Sequence, residues 1–256
     1  KKADTLGRWM MRNTASIQIN YDFESESELE EMVFIADCLQ PVSSYLFSNA
    51  PFWKNRVALN ENIRYLIWEK TDKYRCRNLI DHGIIEPKGL VNKYMDYMLN
   101  VPSIFGFDDS GEICSVVGTL GERLRYLKKN NCLRDLDING ALHQIFTNVR
   151  LKNLIEVRGA DRPPFGFELA PVAFWTGLLT VSEVRDKVLS MIQTWNIKER
   201  LTWNSNARYL DDSIIGPKGK SYYYWNKWAG DLALEGLEIR GLGEETYFYD
   251  YFHIIL

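Results

Sequence analysis

Strict alternation of apolar and polar residues over 14–23 constrains this chain more than any other feature. Ala15, Ile17, Ile19, Tyr21 and Phe23 fall on one side, and Thr14, Ser16, Gln18, Asn20 and Asp22 on the other. A period of two belongs to a β-strand with one face on a core. The polar side is uniformly short: hydroxyls, amides and one carboxylate. Such groups can ligate a hard cation or bond a phosphate, and plain solvent exposure of one sheet face explains them equally well.

Residues 150–158 alternate again. Arg150, Lys152, Leu154, Glu156 and Arg158 share one side, while Leu151, Ile155 and Val157 share the other. Read as a second strand, this places Lys152, Glu156 and Arg158 in one volume, with roughly 7 Å between every second residue. Charges on a half-buried strand are costly unless they meet a ligand, a metal or one another. A carboxylate among cations suits an Mg²⁺–ATP site, where oxygen holds the metal and guanidinium stabilises charge on a transferring phosphoryl group. Cross-strand salt bridges give the same pattern without any ligand.

Most of the remaining periodicity is helical. Ser25 followed by Glu28 reads as a helix start, with a helix over about 27–38 closed at Gln40-Pro41. Further helices are expected at 42–48, 60–69, 91–99, across much of 117–148, and at 170–179, 181–194 and 222–240. Residues 101–107 could form a strand ahead of a turn at 108–111. Arg64 and Trp68 stand four apart on one helical face. They can grip a small carboxylate, or simply stack as a cation–π pair.

Composition closes several alternatives. Apolar residues make up 46% and charged residues 25% of 256, a globular balance. The aromatic share of 13% suits an aromatic core as readily as deep pockets. A formal net charge of −3 argues against general nucleic-acid binding. No apolar run reaches the length of a membrane span, and the first residues lack a signal-peptide layout. Cys38, Cys76, Cys114 and Cys132 are too scattered for a zinc knuckle or a disulfide scaffold, so a reducing, cytoplasmic setting is expected. His82, His143 and His253 show no metal-ligand spacing, and residues 216–220 (GPKGK) lack P-loop spacing and read as a turn. With no internal repeat or low-complexity linker, a single domain is favoured over two.

Several segments together resemble the plant and proteobacterial type of glutamate–cysteine ligase. They are MMRNTASIQIN at 10–20, LFSNAPF at 46–52, DYMLNVP at 96–102 and VRLKNLIEVRGAD at 149–161. AFWTGLL at 173–179 and GLEIRG at 236–241 also fit, so the resemblance runs from about residue 6 to residue 243. It implies an α+β fold of the glutamine-synthetase-like kind, an antiparallel sheet curved around an active-site cavity with helices outside. It implies a reaction in which ATP phosphorylates the γ-carboxylate of glutamate and the cysteine amine then displaces phosphate, with Mg²⁺ bridging the phosphates, as in glutathione-type thiol biosynthesis.

By position, the resemblance makes Gln18 and Glu156 metal ligands and Arg158 the phosphoryl-contacting cation. Lys152 and Asn20 face the nucleotide. Arg64 grips the substrate α-carboxylate with Trp68 beside it, and Thr14 and Ser16 line the glutamate pocket. Two departures accompany the match. The family carries an N-terminal half that supplies most acidic metal ligands and part of the sheet. Residues 1–256 are therefore expected to be one incomplete catalytic-type domain, with a second polypeptide as one source of the rest. The family loop Gly-Ala-Asp-Gly-Gly here ends in Arg162-Pro163-Pro164, which leaves the accepted amine open. A related ligase using another amine, and a non-catalytic subunit derived from a ligase half, remain as alternatives.

Overall fold

In the computed structural model, which describes residues 6–256, the chain opens with α1 (Gly7–Asn13) and β1 (Ile19–Tyr21). Next come α2 (Glu26–Cys38), α3 (Gln40–Leu46), the hairpin β2 (Phe52–Trp53) and β3 (Arg56–Val57), α4 (Ile63–Glu69) and α5 (Leu90–Asn100). A second hairpin, β4 (Gly106–Phe107) and β5 (Ile113–Cys114), precedes α6 (Leu120–Lys129) and α7 (Asp135–Leu142). β6 (Val149–Leu151) and β7 (Ile155–Val157) follow. The chain then continues through α8 (Ala170–Leu179), α9 (Ser182–Ile192), α10 (Ile197–Asn206), α11 (Tyr222–Arg240) and α12 (Thr246–Ile255). Helices with small antiparallel sheets make this an α+β fold, as expected.

The sheet that matters is three-stranded and antiparallel, in the order β1-β7-β6. Ile19 pairs with Val157, Asn20 with Glu156, and Tyr21 with Ile155. Across the other edge of β7, Val149 pairs with Val157 and Arg150 with Glu156. Directly paired residues share a face. Ile19, Val149, Leu151, Ile155 and Val157 therefore enter the main core together, packed beneath α2. Arg150, Glu156 and Asn20 share the opposite face.

Three expected strands are corrected here. The alternating stretch 150–158 is a hairpin, with Lys152-Asn153-Leu154 as its turn and Lys152 N–H donating to Leu154 O at 3.0 Å. Alternation over 14–23 yields only three ladder residues, because β7 offers three partners before the backbone leaves the sheet toward Gly159. Over residues 14–18 the alternation is not kept: Ala15 is exposed while Thr14, Ser16 and Ile17 are half-buried. A strand over 101–107 likewise reduces to Gly106–Phe107, closed by Asp108, whose carboxylate accepts from Ser110 N and Glu112 N.

Local chemistry sets the helix ends. Ser25 Oγ accepts from Glu28 N at 3.2 Å, and the Glu28 carboxylate accepts from Glu24 N at 2.7 Å. Pro41 starts a helix as well as ending one. It occupies the first turn of α3, where its missing N–H leaves no bond unmade. α10, unexpected from periodicity, opens on a reciprocal Asn196/Glu199 cap.

The helical core centres on the crossing of α8 and α11, where backbones touch. A Cβ at Gly177 would fall 2.0 Å from Ala233 O, and one at Gly236 would fall 2.0 Å from Gly177 O. Trp175, wholly buried beside this crossing, donates its indole N–H to Ser43 Oγ at 3.2 Å and so ties α8 to α3. A smaller cluster of Ala58, Ile63 and Ile67 forms under α1, with Trp9 against Trp53. No helix among the described residues is long and apolar enough to cross a membrane.

Candidate active site

The polar face of the β1-β7-β6 sheet gathers three cationic side chains around one carboxylate. Pairing across the hairpin sets Arg150 opposite Glu156, and its Nη2 donates to Oε1 at 2.7 Å and Oε2 at 3.0 Å. Lys152 reaches back from the turn, placing Nζ 2.6 Å from Oε2. Arg158, one residue past β7, donates from Nη1 to both Glu156 Oε1 and Gln18 Oε1, the latter at 2.9 Å. Gln18 in turn donates to Ser16 Oγ at 3.3 Å.

Glu156, Arg158 and Arg150 are only 3%, 7% and 8% exposed, so this is a buried network carrying a net charge of +2. Burial raises the Glu156 carboxyl. Hydrogen bonds from Lys152, Arg150 and Arg158, with the charge of Arg150, outweigh it and hold the group down at about 2. Burial and the adjacent Arg150 push the Arg158 guanidinium below its ordinary value. Arg158 also lies 6.0 Å from the ring centres of both Trp68 and Phe146, an aromatic floor that leaves its charge poorly hydrated.

α4 supplies the next layer. Its Asn62 cap accepts from Tyr65 N and donates to Ser44 O at 2.8 Å, fixing the helix start on α3. One turn on, Arg64 stacks over Trp68 at 5.6 Å. Its Nη2 donates to Arg158 O at 2.8 Å and its Nε to Gly159 O at 3.4 Å. Burial lowers its pKa to about 10, against the opposing pull of Asp161. The side chain expected to offer a free fork to a carboxylate therefore spends one edge of that fork on the backbone beyond β7. Only its remaining N–H groups are left for a ligand.

Two cavities meet at Arg64. One, of about 80 Å³, is lined by Arg64, Trp68, Glu69, Arg77, Asn148 and Gly159, among others. Trp68 Nε1 and Glu69 Oε2 are buried there without a protein partner. The other, of about 360 Å³, is lined by Thr14, Asn49, Arg64, Ile67, Asp161 and Arg162, among others. Thr14 also donates to Met10 O at 2.8 Å, which anchors the end of α1 at this cavity.

The structure thus brings Gln18, Ser16, Lys152, Glu156 and Arg158 into one network, with Arg64 and Trp68 against it. Asn20 lies directly across from Glu156 and is exposed. Thr14 lies in the second cavity, apart from the carboxylate. Arg150 and Asp161 were not singled out from sequence. Arg150 stood on the same alternating face and could have been. Asp161 gives no pattern signal, since its partners are Asn49 N–H and Arg162 N–H at the end of a loop.

These residues do not by themselves fit Mg²⁺. The only carboxylate at the network is surrounded by three cations, and the Gln18 amide oxygen already accepts from Arg158. Among the described residues no three His, Cys, Asp or Glu side chains gather as a metal cluster. A cationic network of this kind suits a phosphate or carboxylate.

Comparison with known proteins agrees in kind. The profile of glutamate-cysteine ligase family 2 matches residues 1–229. This chain belongs to that family. It is 33% identical over 204 residues to glutamate–cysteine ligase, chloroplastic, of Brassica juncea, covering 78% of this chain and 39% of the relative. Against the enzyme of the same name from Medicago truncatula it is 32% identical over 257 residues, 96% of this chain and 48% of the relative. The Arabidopsis thaliana enzyme is again 33% identical over 204 residues, with 38% of its length covered. The chain thus spans less than half the length of these ligase-family relatives. They are named as chloroplastic, so they lend no support to the expected cytoplasmic location.

Proposed function

We propose that this chain carries the phosphate- and glutamate-facing part of an ATP-dependent γ-glutamyl ligase. The observation that carries this is the buried Arg150–Lys152–Arg158 cluster around Glu156, net +2, joined through Arg64 to a guanidinium-lined cavity. In such a reaction a γ-carboxylate oxygen of glutamate attacks the terminal phosphorus of ATP and the bond to ADP breaks. The acceptor nitrogen then attacks the acyl carbon, phosphate leaves, and the amine gives up its proton. Charge spreads over phosphoryl oxygens in the first step, where preoriented guanidinium groups in a water-poor site contribute most.

In this scheme Arg158 faces the transferring phosphoryl group, and Glu156 holds it there. Lys152 and Asn20, at the open edge of the same face, meet the nucleotide phosphates. Arg64 and Trp68 hold glutamate, with Thr14 and Ser16 along the approach. Any Mg²⁺ accompanying the nucleotide needs carboxylates that these residues do not supply. Sequence outside the 256 residues, in the same or a second polypeptide, is proposed to bring them. Residues 1–256 would then be one catalytic-type domain whose three-stranded sheet is a section of a larger curved sheet.

The test is phosphate release from ATP with glutamate and cysteine, using the chain together with the segment that completes it. Arg158→Ala is expected to lower kcat about 10²- to 10³-fold, the usual cost of one oriented charge-stabilising donor. Glutamate KM should change little. Full turnover in that variant refutes the assignment. A second reading, with an amine other than cysteine, is favoured by one feature, the Arg162-Pro163-Pro164 loop at the mouth of the larger cavity.

A further inference from the structure

The larger cavity has two charged side chains that the scheme above leaves unused, Asp161 and Arg162. Arg162 lines it, yet its side chain is 45% exposed and held 2.5 Å from Glu168 Oε1. Its backbone is fixed from both sides. Arg162 N–H donates to Asp161 Oδ1 at 2.9 Å, and Arg162 O accepts from Asn49 Nδ2 at 2.9 Å. Asn49 N–H also donates to Asp161 Oδ2 at 3.3 Å, so this loop is pinned to the facing wall of the cavity. Pro163 confines Arg162 to extended backbone, and Gly166 N–H orients Glu168 by donating to Oε2 at 2.9 Å. The guanidinium is thus presented at the mouth by a rigid loop, with a partner that is itself one-third exposed and easily exchanged for another carboxylate.

The rest of the wall completes a recognisable set. Asp161 supplies a negative charge one residue away, and Ile63 and Ile67 give an apolar floor. A volume of about 360 Å³ exceeds tenfold the ~30 Å³ share of one water molecule. Cation, anion and apolar floor in one cavity match the carboxylate, amine and side chain of a small α-amino acid. Arg64, which lines both cavities, keeps the occupant beside the cationic network.

We propose that Arg162 selects the amine acceptor by its carboxylate, so that the larger cavity takes an α-amino acid and discriminates against simple amines. This rests on the ligase reading given above. The test is calorimetric titration of the full chain with L-cysteine, cysteamine (which lacks the carboxylate) and L-glutamate. L-cysteine is expected to bind at least tenfold more tightly than cysteamine, the scale of one charge-assisted bond. Arg162→Gln should bring that ratio to about one, and Arg162→Lys should retain part of it. L-glutamate binding should persist in Arg162→Gln. Equal binding of cysteine and cysteamine, or a ratio unmoved by Arg162→Gln, overturns the proposal while glutamate binding leaves the ligase reading standing. If neither glutamate nor cysteine binds, both fall.

Discussion

Replacing Glu156 by Gln isolates the electrostatic problem at the centre of the network. The amide keeps the shape of the carboxyl and removes its charge, leaving Arg150, Lys152 and Arg158 facing one another with no counter-ion. A carboxyl held at about 2 instead of its ordinary 4.5 corresponds to ~3 kcal/mol at 1.36 kcal/mol per pH unit. Removing one partner of a buried ion pair independently costs about 3–5 kcal/mol. Lys152 stands at the solvent edge with 18% of its side chain exposed, and screening there favours the lower figure. The expected loss is therefore about 3 kcal/mol at neutral pH. Its pH dependence has a definite sign. The folded-state pKa is depressed, so the stabilisation is full above about 4.5 and fades as pH falls toward 2, roughly halving near pH 3. Urea unfolding of both proteins across this range measures it. A difference below about 1 kcal/mol at neutral pH would show that the cations are individually solvated. A difference that grows on acidification would refute the linkage.

Two further outcomes follow from the same geometry. Pyrophosphate at 100 times its Kd should stabilise the chain by about 2.7 kcal/mol, with the gain abolished in Arg158→Ala, as followed by thermal melting; an equal gain in the variant would place the anion elsewhere. Gly177→Ala should cost about 3 kcal/mol or more in denaturant unfolding, since the new methyl meets Ala233 O at 2.0 Å and backbone cannot turn aside. A loss under about 1 kcal/mol would mean the α8–α11 crossing is looser than described.

Several helices were legible almost to the residue. Ala170–Leu179 and Tyr222–Arg240 match their expected bounds, and Ser25 caps α2 as read. The hairpin was misread for a reason that parity explains. Leu151 pairs with Ile155 across a turn of three residues, 152–154, so paired positions keep the same parity. Residues 150 and 156 thus share a face in a hairpin just as in a single strand, and alternation cannot tell the two apart. The sign lay in Asn153, a turn-forming residue in an otherwise apolar row and exposed in the fold. Arg64 shows the opposite limit. Its stack on Trp68 is local and was visible as spacing of four, while its bonds to Arg158 O and Gly159 O cross more than ninety residues and leave no trace in any window.

Those two bonds decide how the halves of the site communicate. Arg64 holds the carbonyls of Arg158 and Gly159, the peptide where the chain turns from the cationic network into the cavity loop. A Cβ at Gly159 would lie 1.5 Å from Gln40 Nε2, so a side chain there requires the buried Gln40 amide to move. The loop is thus clamped between α4 and α3 with little room to shift. Within 161–162 the same loop carries the charges lining the larger cavity. An occupant that displaces Arg64 removes two hydrogen bonds from the backbone of the segment whose Arg158 guanidinium holds Glu156. In the proposed scheme, substrate grip and phosphate contact then depend on one segment, Arg158 to Arg162, and not on two sites that happen to adjoin.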